Sequence, residues 1–183
     1  MAKVVVGMTL SLDGFVNDRH GSVERLYPDL AALQKTEVLR EAIANTGSVV
    51  MGRRAYDMAN GDFTGYEFQV PIFVVTHQPP RSVAKGENAR LSFTFVSEGI
   101  EEAIEQAKRA AGPRHVAVIG GASTAQQCIR AGLADELEIG VMPVLFGGGL
   151  RLFENLGRDQ PQLETIRVIN CVERTDIKFR VIR

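Results

Sequence analysis

The chain has 183 residues, of which 45% are hydrophobic and 23% are charged. This length supports a substantial core but is short for two ordinary domains, so we expect one domain over residues 1–183. The 21 basic and 22 acidic side chains give a formal net charge of −1. Such a balance creates no field that would gather a polyanion, and it argues against nucleic acid as a partner.

The apolar segments and the cysteines indicate the compartment. Cys128 and Cys171 form no Cys-x-x-Cys pair and lie within apolar segments, so we expect small buried thiols in a reducing compartment. The apolar run near the N-terminus is interrupted by Gly7, which favours a first strand over a signal peptide. No window approaches the roughly 20 consecutive apolar residues of a membrane span. We therefore expect a cytoplasmic protein with no membrane partner.

The first half of the chain alternates apolar strands with helical patterns. Residues 4–12 predict a buried strand that enters the turn-rich stretch SLDGFVND. Apolar residues at helical spacing predict a long helix over 29–45, with Gly47 as its stop. Residues 48–52 predict a short buried strand, and a second helix is expected to begin at Arg53.

The second half continues this alternation and then changes. Strands are predicted over 70–76, 90–96 and 115–120, and an amphipathic helix over 100–111. Ser123 is a plausible N-cap of a helix that ends near Gly132. Residues 136–146 predict a long strand in which Pro143 favours an edge or a bulge, and two alternating strands close the chain. This order predicts an α/β fold with a mixed sheet covered on both faces.

Three predicted strands end in glycine or polar residues, in the stretches MGRRAYD, VVTHQPP and IGGAST. Because ligands of such sheets lie at the carboxyl ends of strands, these ends are candidates for one shared site. The chain lacks the GxGxxG and GxxxxGK[ST] patterns of Rossmann and P-loop nucleotide sites. A nucleotide would have to be held in another way.

Each motif also has a purely structural interpretation. The backbone N–H groups of Gly121, Ala122 and Ser123 can meet a diphosphate at a helix N-terminus, or the glycines can simply form a strand-to-helix bend. Arg53 and Arg54 can grip phosphate oxygens, or they can be a solvated pair.

Further candidates lie outside the Gly-Gly and Arg-Arg motifs. Thr76 and His77 end another strand, where a hydroxyl and an imidazole can share the phosphate of Arg53. Glycines 147–149 can let a loop close over a ligand, or they can form a hairpin or bulge. His20 and His115 have no partner at metal-ligand spacing, so we expect no metal site.

In this order the motifs MTLSLDGFVND, VVMGRRAYD, VVTHQPP and VIGGAST resemble the dihydrofolate reductase fold. SLDGF, MGRRAY and MPVLFGGGLRLF look closer to the reductase domain of the riboflavin-biosynthesis deaminase/reductase and its stand-alone relatives. The resemblance covers nearly the whole chain. It implies a three-layer α/β/α fold whose mostly parallel mixed sheet has about eight strands and a C-terminal antiparallel hairpin.

The resemblance further implies NADPH as cofactor and assigns the adenosine side of its site. Gly52 and Arg53 match positions that approach the diphosphate and the 2'-phosphate, with Arg54 beside them. Thr76 and His77 match the strand end that flanks the same 2'-phosphate.

The nicotinamide side of the site is assigned in the same way. Gly120 and Gly121 match a Gly-Gly pair usually joined by a cis peptide beside the nicotinamide. Thr9 and Val16 match the start and end of the loop that holds the carboxamide. Three residues match those that open the helix facing the diphosphate: Ala122, Ser123 and Thr124. Asp29 stands at a helix start and is the candidate substrate-binding acid, or an ordinary first-turn carboxylate.

The function that the resemblance implies is reduction of a pyrimidine- or pterin-like small molecule with NADPH. The type is 5-amino-6-(5-phosphoribosylamino)uracil reductase, and the loop over 13–21 is expected to close over the nicotinamide with VLFGGG against it. Two alternatives stay open: dihydrofolate reductase activity, and a non-catalytic NADPH-binding regulatory relative. Exposed strand edges, together with the relatives, favour a homodimer.

Overall fold

The computed structural model describes residues 2–28, 30–157 and 160–182. The strands in chain order are β1 (Val4–Ser11), β2 (Phe15–Asn17), β3 (Thr46–Gly52), β4 (Ile72–Val75), β5 (Phe93–Val96), β6 (His115–Ile119), β7 (Glu136–Met142), β8 (Leu150–Arg151), β9 (Gln162–Cys171) and β10 (Arg174–Ile182). The helices are α1 (Leu30–Leu33), α2 (Glu37–Asn45), α3 (Arg53–Met58), α4 (Ile100–Ala111) and α5 (Ala122–Arg130), with a 3-10 turn at Glu24–Leu26.

Eight strands form one mixed sheet in the order β5-β4-β3-β6-β1-β7-β10-β9. The first six run parallel to one another, whereas β10 is antiparallel to both β7 and β9. The remaining strands, β2 and β8, pair in a separate two-stranded sheet. The predicted α/β fold with a C-terminal antiparallel hairpin is therefore confirmed.

The period of the strands divides the core between the two faces of the sheet. In β1, Val4 and Val6 belong to the apolar cluster that also contains the buried face of α4 and α5. On the opposite face of β3, Val49 and Met51 pack into a second cluster around Tyr56 of α3. Toward β7 and β10 this second face becomes polar, and there α1 and α2 lie over a cleft instead of a sealed core.

The prediction of one long helix over 29–45 is wrong, because this segment forms two helices, α1 and α2, joined by a turn. The Thr36 hydroxyl donates to the Leu33 carbonyl over 2.7 Å and accepts from the Leu39 N–H over 3.3 Å. These local bonds compete with a continuous helix. Asp29, the predicted start, lies outside the described residues. Gly47 is not the helix stop but a residue of β3.

Two further predictions fail for reasons of backbone chemistry. Ser123 is not the N-cap: Gly121 holds that position, and the Ser123 hydroxyl accepts from the Gln127 side chain within α5. The strand predicted over 136–146 ends at Met142, so Pro143 lies neither at a sheet edge nor in a bulge of β7. Proline lacks the N–H that a central strand requires, and the strand stops before it.

The predicted thiols and edges can be placed on this fold. Cys128 and Cys171 are buried, and no disulfide joins them. Among the described helices, none is long and apolar enough to span a membrane. β9 forms one edge of the sheet with Leu163 and Val168 exposed, and the homodimer stays a prediction.

We expect two strand glycines to respond oppositely to a methyl group. A Cβ on Gly47 would lie 2.5 Å from the Ala111 carbonyl oxygen and 2.7 Å from its Cα, whereas a Cβ on Gly7 would meet nothing within 4 Å. Gly47→Ala should lower the free energy of unfolding by about 1–3 kcal/mol, because backbone must move. Gly7→Ala should leave it unchanged or raise it by up to about 1 kcal/mol. Urea denaturation measures both, and equal effects would contradict this packing.

Candidate active site

The carboxyl ends of β3 and β6 meet backbone against backbone. The Gly52 N–H donates to the Gly120 carbonyl oxygen over 3.3 Å, and a Cβ on Gly121 would lie 3.6 Å from the Gly52 Cα. A Cβ on Gly52 would stand 2.5 Å from the Thr124 Oγ1. One on Gly120 would stand 2.6 Å from the Ala55 Cβ. Glycine at these positions therefore lets the strand ends pack closely against Thr124 of α5 and Ala55 of α3.

The prediction of a cis peptide between Gly120 and Gly121 is wrong, because this bond is trans. The chain turns instead through backbone torsion: φ is +83° at Gly120 and +89° at Gly121, values that residues with a side chain rarely adopt. The pair forms the strand-to-helix bend, which is one of the two interpretations open from the sequence. Its contact with a phosphate stays a prediction.

The first turn of α5 presents backbone donors at this edge. No side chain caps the helix at Gly121, and the Ala125 N–H donates back to the Gly121 carbonyl over 3.1 Å. The N–H groups of residues 122–124 precede that bond and have no acceptor within the helix. Ala122 and Thr124 are buried and Ser123 is exposed. This geometry favours an anion next to α5.

Arg53 and Thr76 come together at the ends of β3 and β4. The Arg53 Nη1 and the Thr76 hydroxyl donate to the same acceptor, the Gln78 carbonyl, over 2.7 and 2.8 Å. The Arg53 Nε donates to Asp57 over 2.8 Å, and its side chain is 33% exposed. His77 is exposed beside them. Arg53 is therefore fixed in position, and its Nη2 makes no hydrogen bond to a described residue.

Two of the predicted residues do not join the strand-end group formed by Gly52, Gly120, Gly121, Arg53 and Thr76. Val16 lies in β2, where its side chain packs against the core. Arg54 is exposed on the first turn of α3.

A cleft of about 220 Å³ lies next to the strand-end group, between the sheet and the helices α1 and α2. Its roof is apolar and includes Leu30, Leu33 and Leu39. Its floor includes two glycines, Gly7 of β1 and Gly140 of β7, which sink the surface because they have no side chain. The cleft reaches the residue before Gly120, so it opens toward the Gly-Gly bend.

Thr9 lies on the floor of this cleft, where an arginine holds it. The Arg174 Nη1 donates to the Thr9 Oγ1 over 2.9 Å, and its Nη2 donates to the Leu26 carbonyl over 3.2 Å. The Arg174 guanidinium stands 5.5 Å from the centre of the Tyr27 ring, and the residue is 4% exposed. Arg174 thus fastens the segment before α1 to the sheet.

Further charged side chains of the hairpin line the same floor. The Arg167 Nη1 donates to Glu41 of α2 over 2.8 Å and its Nη2 to Glu138 of β7 over 3.2 Å, so it joins roof to floor. Lys178 lies 3.0 Å from Glu136 and 3.7 Å from Glu138. Asp176 is a further charged group of the floor. Burial raises the pKa of Asp176 to about 6, with Glu138 acting in the same direction.

The loop after β1 is tied to the segment before β8. The Asp13 carboxylate accepts from the Ser11 hydroxyl over 2.6 Å, from the Gly147 N–H over 2.7 Å and from the Phe146 N–H over 3.1 Å. These bonds, with that of Ser11 the largest, lower the pKa of Asp13 to about 2. The expected contact between VLFGGG and this loop is confirmed. The hairpin interpretation of glycines 147–149 is wrong, because β8, which follows them, pairs with the distant β2 and not with the preceding strand β7.

Sequence reasoning missed the charged floor. The hairpin pattern Arg174-Thr175-Asp176-Ile177-Lys178 places the charged residues on one face of β10, which a strand pattern assigns to solvent. The available signal is that β10 carries four charges at alternate positions, from Arg174 to Arg180. Asp29, the predicted substrate acid, lies outside the described residues. Within the described part of the chain, no three His, Cys, Asp or Glu side chains are grouped as a metal ion requires.

We expect Asp13→Ala to release the segment at Gly147. The variant removes the acceptor of the Gly147 and Phe146 amides, so their hydrogen exchange should accelerate by about tenfold or more. Asp18→Ala is the matched control, because Asp18 accepts only from His20 and Ser22 within its own loop. Unchanged exchange at Gly147 in Asp13→Ala, measured by mass spectrometry, would contradict the tie.

We expect Asp176→Asn to stabilise the protein at neutral pH. A raised pKa means that the folded state favours the protonated acid, so wild-type stability should fall as the pH rises from about 4 to about 6. The amide does not titrate, and its advantage over wild type should grow by up to about 3 kcal/mol between pH 4 and pH 7. Glu164→Gln, an exposed acid of the same hairpin, is the control in urea denaturation. A pH-independent difference for Asp176→Asn would contradict the shift.

Several solved structures have this fold. A putative riboflavin biosynthesis protein from Shewanella sp. PV-4 is 23% identical with a TM-score of 0.78, and each chain covers all of the other. A Thermotoga maritima deaminase/5-amino-6-(5-phosphoribosylamino)uracil reductase is 17% identical with a TM-score of 0.77, matching 99% of this chain and 57% of that one. Dihydrofolate reductase from Enterococcus faecalis, complexed with NADP(H) and RAB-propyl, is 14% identical with a TM-score of 0.66, over 99% and 97%.

The dihydrofolate reductase-like architecture expected from the motifs is confirmed by these likenesses. The sequence profile of the RibD C-terminal domain matches residues 2–176, which is nearly the whole chain. Glycines 52, 120 and 121, the loop after β1 and the segment before β8 all fall within that match. The chain therefore belongs to the RibD C-terminal domain family.

Proposed function

We propose that this protein is an NADPH-dependent reductase of the riboflavin-biosynthesis type that acts on a pyrimidine- or pterin-like small molecule. The observation that carries the proposal is the strand-end group, which lies beside a cleft with an apolar roof. Family membership supports a reductase, and the Enterococcus faecalis neighbour is complexed with NADP(H).

The strand-end group fits a dinucleotide with a 2'-phosphate. The uncapped first turn of α5 would bind the diphosphate, because its backbone donors have no acceptor within the helix. Arg53, fixed by Asp57 and the Gln78 carbonyl, would bind the 2'-phosphate through its Nη2. Thr76 supports this arginine through the shared acceptor at Gln78.

The Gly120-Gly121 bend would lie against the nicotinamide. The cofactor supplies a hydride when bound. The cleft begins at Ile119 and Thr9, next to the bend, so a ring in the cleft would face the nicotinamide from the sheet side. The apolar roof of the cleft excludes water and the charged floor orients the ring, and positioning of this kind supplies much of the rate.

The loop over 13–21 would cover the reacting groups. Asp13 and the pairing of β2 with β8 hold it in an ordered conformation. Its role would be to exclude water from the site.

We expect Arg53→Ala to weaken NADPH binding by about 10- to 150-fold, since a hydrogen bond to a charged group contributes about 1.5–3 kcal/mol. NADH binding should change by less than about threefold, because NADH has no 2'-phosphate. Quenching of dihydronicotinamide fluorescence measures both dissociation constants without turnover. Arg90→Ala is the control, because Arg90 is exposed and precedes the opposite end of β5.

Equal losses for NADPH and NADH would move Arg53 to the diphosphate, and no binding of NADPH to wild type would overturn the proposed function. Turnover separates the alternatives. Oxidation of NADPH with the ribosylaminopyrimidine supports the proposed type, and oxidation with dihydrofolate alone supports a dihydrofolate reductase. Binding without oxidation by either substrate supports a regulatory relative.

A further inference from the structure

The core covers the helices above the cleft only in part: Leu39 and Ile43 of α2 pack against the second apolar cluster but stay partly buried. α2 alternates apolar and polar residues at helical spacing, yet no residue of α1 or α2 is buried. Instead Leu33, Val38 and Leu39 line the cleft. An amphipathic helix is normally stabilised by burying this stripe. A ring bound beneath α2 would complete that burial.

The floor is open where such a ring would lie. A Cβ built on Gly7 meets no atom within 4 Å, and Gly7 has an ordinary strand conformation. The space above the neighbouring Gly140 is narrower, because a Cβ there would lie 3.3 Å from the Arg174 Cδ and 3.4 Å from the Thr9 Oγ1. Free space therefore lies above Gly7, and polar atoms border it on the β10 side.

Two of these polar atoms have no partner. Among the described residues, the buried side-chain nitrogen and oxygen atoms that make no hydrogen bond are the Arg167 Nε and the Asp176 Oδ1. Both residues line this cleft, and Asp176 is 8% exposed. A buried polar atom without a partner costs free energy. This unpaired donor and this unpaired acceptor lie in the same cleft. Their position indicates a ligand that offers an acceptor to the Arg167 Nε and a donor to the Asp176 Oδ1.

The charged groups around these two atoms already form hydrogen bonds or ion pairs within the protein. Arg167 uses Nη1 and Nη2 on Glu41 and Glu138. Lys178 pairs with Glu136 and Glu138. Arg174 binds Thr9 and the Leu26 carbonyl. These bonds fix the neighbours of Asp176, and the buried polar atoms of the described residues that they leave without a partner are the Arg167 Nε and the Asp176 Oδ1.

We propose that the Asp176 Oδ1 and the Arg167 Nε recognise the lactam edge of the ring in the cleft, with the carboxylate accepting the ring N–H and the Nε donating to the adjacent carbonyl. Arg167 and Asp176 lie on neighbouring strands, since Arg167 pairs with Lys178 two residues along β10. Diagonal side chains at this register reach one small ligand. The assignment rests on the proposed function, because it takes the cleft as the substrate site.

The test uses two small probes and calorimetry, with and without saturating NADPH. 5,6-Diaminouracil has the lactam edge, and 5,6-diamino-1,3-dimethyluracil keeps the ring and carbonyls but has no ring N–H. Wild type should bind the first probe about tenfold or more tightly than the second. Asp176→Leu, which keeps the branched shape of the side chain and removes the acceptor, should abolish this preference by weakening only the first probe.

Companion variants separate recognition from folding. Arg167→Met keeps the aliphatic stem and should weaken both probes, because both have carbonyls. Gly7→Val should block both probes by filling the floor while NADPH binding persists. Glu164→Leu, on the exposed part of the same hairpin, should change neither affinity.

The proposal is overturned if wild type binds neither probe, binds both equally, or keeps its preference in Asp176→Leu. Persistent binding of both probes to Gly7→Val would also overturn it, since the ligand would then lie elsewhere. If wild type binds no NADPH but still prefers the first probe, the proposed function is refuted and the assignment of Asp176 and Arg167 is not. The two failures are therefore distinguishable.

Discussion

The parallel pairing of β1 between β6 and β7 is the constraint on which the rest of the structure depends. It brings the carboxyl ends of the strands to one edge of the sheet, so that Ile119, the residue before the Gly120-Gly121 bend, pairs with Gly7. The same strand sends Val4 and Val6 into the core under α4 and α5, and it sends Gly7 and Thr9 to the cleft under α1 and α2. A shift of one residue in its register would exchange these faces and remove both the core and the cleft.

The cleft combines groups that are costly to bury. Charged side chains lose hydration there, and ion pairs to Glu41, Glu136 and Glu138 offset this loss only in part. At Asp176 part of this desolvation cost is not offset, because its pKa is raised and one of its oxygens has no hydrogen-bond partner. A well-packed apolar floor would stabilise the fold more. Retaining these charges is the kind of compromise that proteins make where a ligand binds.

Local patterns predicted the elements whose stability is local. The helix Ile100–Ala111 has the predicted bounds, because its apolar stripe is regular and its ends are marked by Gly99 and Gly112. The predictions failed where a side chain competes with the backbone, as at Thr36, or where a glycine occupies the cap expected of Ser123. At the candidate site, Gly52, Arg53, Thr76 and the Gly-Gly pair were found from strand ends and resemblance, whereas Arg167, Arg174 and Asp176 were not.

The sequence by itself determined where the parallel strands end and which residues stand there, because apolar runs and glycines are local signals. It also determined the family, since the motifs occur in a fixed order. Only the tertiary structure decided that the charged face of β10 is covered. A period of two divides a strand into two faces but does not say which element lies over either of them. Here α1 and α2 lie over that face, and a pattern typical of solvent becomes the floor of a cleft.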